Sequence, residues 1–319
     1  MTLSQDRFST EPITVRKVEI TAPLTDRPIK RNSPLKALTT WKVGGLAEWY
    51  LEPQTIEDLQ IGLAWARQHQ LPITILGAGS NLLISDRGLP GLVICTRHLR
   101  HSKTSFDVAT QQITVDAGKM VASLAWQAAR RGWTGLEWAA GIPGTVGGAV
   151  VMNAGAHGHS TQEVLVNTEV VSLDGSIATL TPADLDYRYR HSNLQGDSRI
   201  VVSATFQLQA TDKPKEIQAR TFRDLEKRHT TQPYDLPSCG SVFRNPTPHH
   251  AAALIEGLGL KGYRIGDAEV STLHANFIIN RGNAKASDIY TLIYYVRDRV
   301  KQHHGIELEP EVKMLGEFL

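Results

Sequence analysis

Cysteine is scarce in this sequence: Cys95 and Cys239 are the only two in 319 residues. Two cysteines cannot build a disulfide framework, and these do not have a zinc spacing. That fits a reducing compartment. An excess of one charge is lacking too. Thirty-four lysines and arginines against 32 aspartates and glutamates leave a net charge of +2. No polyanion-binding footprint follows from such a balance, so no nucleic-acid partner is expected. No apolar run reaches the roughly 18 residues of a membrane span, and the first residues contain no apolar h-region of a secretory signal. Acids at Asp6, Glu11, Glu19 and Asp26 argue against a transit peptide, which is acid-poor. A reducing compartment and no membrane partner are expected.

What is present is ordinary globular composition, 41% hydrophobic and 21% charged. At about 150 residues per domain the length suggests two domains, with a core large enough to need no staples. Residues 1–32 are polar and of mixed charge, and read as a frayed extension or an irregular strand. A helix is signalled from Thr55, which forms a capping box with Asp58 ahead of a face of Ile56, Leu59, Leu63 and Ala66. Strands are expected over 72–76, 92–95 and 113–116, and a helix over 119–131 with Gly132 as its C-cap. A hairpin follows over 164–180 around the Asp174-Gly175 turn. The stretch 200–208 alternates like a half-buried strand. The polar run at 210–215 marks a domain boundary. Beyond it come helices over 214–229, 251–258 and 287–304, a strand over 276–280 and a last strand over 306–316. Strands and helices without regular βαβ alternation favour an α+β fold.

Two glycine-rich segments stand out. Gly77-Ala78-Gly79-Ser80-Asn81 follows a buried-looking strand. Position 82 is Leu, so this is no dinucleotide fingerprint, and no Gly-Lys-Ser/Thr follows, so it is no P-loop. It is either a tight structural turn or a phosphate cradle of backbone amides. Eight glycines fall within 132–158, among them the run Gly141-Ile142-Pro143-Gly144-Thr145-Val146-Gly147-Gly148-Ala149 that continues to Asn153, Gly155 and Ala156. Small residues over this length let an extended ligand lie along the main chain, or let a core turn pack closely. Two such segments together favour a large ligand with a diphosphate.

The candidate chemistry is carried by polar side chains elsewhere. Arg190, beside Tyr189, can pair with a carboxylate or phosphate, or serve as a surface ion pair like neighbouring Arg188. Ser241, in the loop Gly240-Ser241-Val242-Phe243-Arg244-Asn245-Pro246, can donate a proton or simply cap a turn; no Gly-x-Ser-x-Gly elbow surrounds it. Cys239 is a reactive thiol or a packed small side chain. On the last strand Glu307, Glu309 and Glu311 would share one face, where they are solvated unless one is buried and its pKa raised. The adjacent pairs His249-His250 and His303-His304 make no i, i+4 metal face, so no metal is expected.

Taken in order, Thr40-Trp41-Lys42-Val43-Gly44-Gly45, 77–82, 141–156, 189–192, 240–246, His274-Ala275-Asn276-Phe277 and 309–316 give the chain its character. It resembles the UDP-N-acetylenolpyruvoylglucosamine reductase family, flavoenzymes of bacterial peptidoglycan synthesis, over roughly 33–316. The resemblance implies an α+β fold with a two-part FAD-binding region of the vanillyl-alcohol-oxidase type. That region would span 33–211, split near 100–110, with a substrate-binding domain over 212–319 whose last strand returns to the active site. It implies a cytoplasmic protein with NADPH as hydride donor and UDP-N-acetylglucosamine enolpyruvate as substrate; a monomer is expected. Residues 77–82 would cradle the FAD diphosphate, and Gly141 to Thr145, Gly147 to Ala149, Asn153, Gly155 and Ala156 would lie along the flavin. Ser241 maps to the proton donor, and Arg190 with Glu311, in preference to Glu309, to the pair on the substrate carboxylate. Tyr189, Arg190, Arg244 and Asn245 map to the substrate. The same scaffold also carries oxidases of alcohols and hydroxy acids, and a non-catalytic nucleotide-binding module is the remaining alternative.

Overall fold

A computed structural model describes residues 28–101 and 104–318. The extension expected over 1–32 lies outside the described residues as far as 27. Its last part does not: Lys30–Pro34 is a strand, antiparallel to Leu46–Leu51. That strand continues the order Leu46–Leu51, Leu89–Cys95, Ile73–Leu76, whose pairings are parallel. The continuous apolar run Leu92-Val93-Ile94-Cys95 is buried throughout, as expected of a central parallel strand covered on both faces.

Among the described residues six α-helices lie in chain order: α1 (Ile56–Gln68), α2 (Val121–Arg130), α3 (Val146–Met152), α4 (Pro214–Thr231), α5 (Ala251–Gly257) and α6 (Ala286–His304). The Thr55 capping box starts α1, with both reciprocal bonds made. Gly132 takes φ +75 just beyond α2, where an L side chain would be strained. A second sheet is wholly antiparallel, in the order Ile177–Leu180, Leu165–Val171, Ile200–Gln207, Gln112–Asp116, Ser105–Asp107. Its central strand is buried on both faces, not alternately as its sequence suggests. Val201 and Phe206 join the core under α2 and α3, while Ile200 and Val202 join Trp49, Leu59 and Leu63 of the first unit. The two units are thus held by a shared apolar layer, worth about 1.5–3 kcal/mol per fully buried large side chain.

The third unit packs α5 and α6 on a small antiparallel sheet, Arg264–Ile265, Ala268–Val270, Ile278–Asn280. Three devices tie it to the first. Trp41 is fully buried in its core and donates its indole N–H to the Ile278 carbonyl at 2.7 Å, while the Asn280 amide donates to the Trp41 carbonyl at 2.9 Å. The Asp86 carboxylate accepts the Ala286 and Ser287 amides at 2.9 Å each, capping α6 from 200 residues away. Finally, Lys313–Leu315 pairs in parallel with Leu82–Ile84. The long last strand expected over 306–316 is reduced to these three residues and one bridge between Phe243 and Pro310. Pro310 has no N–H to give a ladder. Glu307, Glu309 and Glu311 therefore do not share a strand face. The folded chain has the expected α+β character.

Because Asp86 satisfies two of the unpaired amides at the start of α6, Asp86→Ala should lower unfolding free energy by about 1 kcal/mol. Urea denaturation should show the midpoint falling with little change in slope.

Candidate functional site

The first glycine segment turns sharply after Ile73–Leu76. Gly79 has φ +65, and a Cβ there would lie 2.0 Å from the Leu38 carbonyl oxygen, so no other residue is tolerated. Its own carbonyl accepts the Thr40 amide at 3.2 Å, and Arg97 holds the Ala78 carbonyl at 2.7 Å. Among the described residues, the five amides at 77–81 find no carbonyl partner. Buried or half-buried amides are seldom left unpaired, and a cluster of them around a left-handed residue is a nest for an anion. The Thr40 hydroxyl beside it is buried without a partner as well.

The second glycine segment folds against the first. Ser80 Oγ donates to the Pro143 carbonyl at 2.8 Å, and a Cβ on Gly77 would meet Thr145 Oγ1 at 2.7 Å. Residues 146–152 form α3, with Thr145 as N-cap, an element that the glycine pattern did not signal. They permit close packing: Gly147 and Ala149 turn into the core, and Gly147 donates to the Ala117 carbonyl. Pro143 and Gly148 face outward. Asn153, left-handed at the C-cap of α3, donates to the Arg188 carbonyl at 2.9 Å, and Gly155 offers its carbonyl to Arg190. Among residues expected along a flavin, these two brace the turn that carries Arg190.

That turn, Arg188 to His191, is closed by the His191 amide on the Arg188 carbonyl at 3.0 Å, and Arg190 sits in it at φ +55. The Arg190 guanidinium reaches Gly155 O at 2.6 Å and Glu311 Oε1 at 3.4 Å. The side chains of Arg190 and Glu311 are only 20% and 16% exposed. Arg188, by contrast, makes an exposed pair with Asp186. Tyr189 is 57% exposed, with the Arg190 guanidinium over its ring.

Ser241 reaches the same place by backbone register. Val242 and Phe243 are clamped on one side by Asn276, which accepts both amides and donates to the Phe243 carbonyl. On the other side the Glu311 amide donates to Val242 O at 2.8 Å, and the Arg244 amide to Glu309 O at 2.9 Å. Ser241 is half-buried at the head of this clamp. Asn81 completes the junction by donating to the Glu311 carbonyl at 3.1 Å. Arg190, Ser241 and Glu311, far apart in sequence, are therefore brought together beside the first glycine segment.

Burial pushes the Glu311 carboxyl up, against the pull of Arg190, Arg244 and Lys313. Lys313 is pushed down by burial and by Arg244. Glu309 is 66% exposed and pairs with Arg244, and Glu307 pairs with Lys301 on the surface. Three cations against two carboxylates leave the junction with surplus positive charge, suited to an anionic ligand. Arg244 also keeps a buried Nε without a partner. The Asn245 side-chain oxygen is taken by the Ala251 amide at 3.0 Å, leaving its NH₂ to meet a ligand. Cys239 is buried in the third unit's core, and burial raises its thiol well above the usual range; it packs and is not poised to react. A cavity of about 290 Å³ opens beside Gly240, lined by Thr40, Lys42, Pro143, Arg228, Tyr234 and Phe277 among others. A larger groove of about 560 Å³, lined by Asn32, Glu48, Arg87 and Glu317 among others, holds none of the candidate residues.

Residue types alone did not single out Asn276, Arg97, Tyr234 or Lys313. Asn276 had a signal, since it lies in the His274–Phe277 motif. The others act through partners distant in sequence. Arg228, for example, donates to the Tyr234 hydroxyl, which donates to the Gly141 carbonyl.

The chain matches two known families: "FAD binding domain" over residues 47–181 and "UDP-N-acetylenolpyruvoylglucosamine reductase, C-terminal domain" over 232–315. A curated UDP-N-acetylenolpyruvoylglucosamine reductase of Trichormus variabilis is 57% identical over 296 residues, 93% of this chain and 89% of that one. Its counterpart in Synechocystis is 56% identical over 313 residues, 97% and 98% of the two chains. Among solved structures, the UDP-N-acetylenolpyruvylglucosamine reductase of Thermus caldophilus superimposes with a TM-score of 0.76 at 35% identity, covering 91% of this chain and all of that one.

Replacing Arg190 by Ala or by Gly removes the same guanidinium, but only Gly relaxes the left-handed backbone. Arg190→Gly should therefore be more stable than Arg190→Ala by about 1 kcal/mol, measurable as a higher urea midpoint. Equal midpoints would mean that the turn holds no strain.

Proposed function

This chain belongs to the UDP-N-acetylenolpyruvoylglucosamine reductase family, and from that membership we propose that it reduces UDP-N-acetylglucosamine enolpyruvate to UDP-N-acetylmuramate for peptidoglycan synthesis. It is an FAD-dependent oxidoreductase of the two-part flavin-binding fold. NADPH is the reductant. Work as a cytoplasmic monomer belongs to the same reading; among the described residues no helix is long and apolar enough to cross a membrane.

The residues present suit the flavin. The unpaired amides of 77–81 and the Thr40 hydroxyl would meet its diphosphate, and Pro143 and Gly148 present a side-chain-poor surface to its ring. FAD, when bound, would supply the redox chemistry by which hydride from NADPH reaches C3 of the enolpyruvyl group.

The observation that carries the catalytic reading is the junction of three chain segments, Arg190 against Glu311 at 3.4 Å and Glu311 bonded to the residue after Ser241. Arg190 and Glu311 grip the substrate carboxylate. The charge that arrives with the hydride spreads into that carboxylate, and fixed groups already aimed there lower the barrier. Glu311 is suited to this when neutral, because only then can it donate a hydrogen bond to a carboxylate. Ser241 gives its proton to C2 and is reprotonated from solvent, so one hydride and one proton add across the double bond. Arg244, Lys313, Tyr189 and Asn245 offer the diphosphate and sugar their cations, ring and amide.

Ser241→Ala should leave flavin reduction by NADPH nearly intact and slow flavin reoxidation by the UDP-sugar enol ether by about 10²–10⁴-fold. Wild-type reoxidation in single-turnover stopped flow would remove Ser241 from the mechanism. The raised Glu311 carboxyl gives a second check. Its neutral form is lost as pH climbs through the raised value, so the reoxidation rate should fall on that alkaline limb. Glu311→Gln cannot ionise and should lose the limb while keeping part of the rate.

A further inference from the structure

We infer that Gln195 is a positioning residue, acting on the reaction through Arg190; the inference rests on the role given to Arg190 above. The turn that carries Arg190 forces an arginine into a left-handed conformation, φ +55, at the place in a four-residue turn where Gly or Asn is the usual occupant. Such a conformation persists in a side-chain-bearing residue only where its surroundings over-determine it, and it collects at functional sites. The surroundings here are specific. The Arg190 carbonyl accepts from Gln195 Nε2 at 3.0 Å and from Arg244 Nη2 at 3.2 Å. Gln195 Nε2 also donates to the Val151 carbonyl at 3.3 Å, the same oxygen that takes the Ser192 hydroxyl at 2.6 Å. The two hydrogens of one amide thus bridge the strained turn and the end of α3. Further along, the Gln195 backbone N–H closes onto the Ser192 carbonyl at 3.1 Å, so the side chain is itself held.

The orientation of this amide is set by its neighbours. Both of its partners are carbonyls, which only the NH₂ can serve, and its oxygen is buried without a partner. The group is therefore kept for its donors, at the expense of an unmet acceptor. Arg244 is a weaker brace, because it also pairs with Glu309 at 3.0 Å and has a free Nε; an arriving anion competes for it. When substrate engages Arg244, Gln195 is left to hold the Arg190 carbonyl, and with it the direction in which the guanidinium leaves the backbone toward Glu311 and Gly155. Gln195 hydrogen-bonds Arg190 and Val151 but neither Glu311 nor Ser241, so its effect on the reaction passes through Arg190.

The test uses the FAD-loaded enzyme and two variants. Gln195→Glu keeps the size but has no N–H when ionised, and Gln195→Ala removes the group. In both, flavin reduction by NADPH should stay within about twofold of the parent, while reoxidation by UDP-N-acetylglucosamine enolpyruvate slows about tenfold or more, the scale of a slightly misplaced catalytic group. The loss should fall on kcat more than on KM. In an Arg190→Ala background the same Gln195 substitutions should add almost nothing. Full additivity there, equal slowing of both half-reactions, or unchanged reoxidation in both variants would overturn the inference while leaving Arg190 in place. Should Arg190→Ala itself reoxidise like the parent, the role of Arg190 fails first and that of Gln195 with it.

Discussion

A carboxyl group that gives up water must be neutral or be met by cations, and Glu311 is the group on which that constraint falls. Burial drives its pKa up while Arg190, Arg244 and Lys313 draw it down. Each of those cations comes from a different part of the chain. The turn at 188–191 is stitched to the end of α3, the 241–244 loop is clamped by Asn276, and 311–313 is registered on Asn81 and Leu82. The architecture around Glu311 can be understood as the means of delivering these groups to one place. An isolated surface pair would be worth little; here the low dielectric makes each misplacement consequential.

Local signals in the sequence were read well because their physics is local. The Thr55 capping box, the Asp174-Gly175 turn and Gly132 each satisfy or release backbone groups within a few residues. The errors came where tertiary packing overrides local pattern. The strand Ile200–Gln207 has apolar and small residues on both faces because two layers cover it. Glycines in 146–152 gave no helix signal, yet they permit α3 to press against Ala117 and Val201. The last strand failed over 306–312, where Pro310 interrupts the ladder and the flanking acids find separate partners.

The site was legible in part. Arg190, Ser241 and Glu311 were singled out through motifs in shared order, and the two glycine segments through composition. Their braces were not. Asn276, Asn81 as a holder of Glu311, and Gln195 act through amide hydrogen bonds to main-chain carbonyls or amides, and the bond from Asn81 spans 230 residues. Nothing in periodicity or charge marks such residues, since any polar side chain on a loop has the same local signature. They become visible only when the backbone groups they satisfy are counted.

The parallel pairing of Leu82–Ile84 with Lys313–Leu315 also has a bearing on biosynthesis. A nascent chain leaves the ribosome with residues 82–84 long before 313–315 exist, so this edge of the first unit stays without its neighbour while some 230 residues are translated. Contacts of such wide separation form late and slowly. The anion nest at 77–81 leads directly into that edge, and the Asn81 carbonyl awaits the Lys313 amide. The turn at 77–81 therefore gains its last braces only once 311–313 have been translated and have docked beside it.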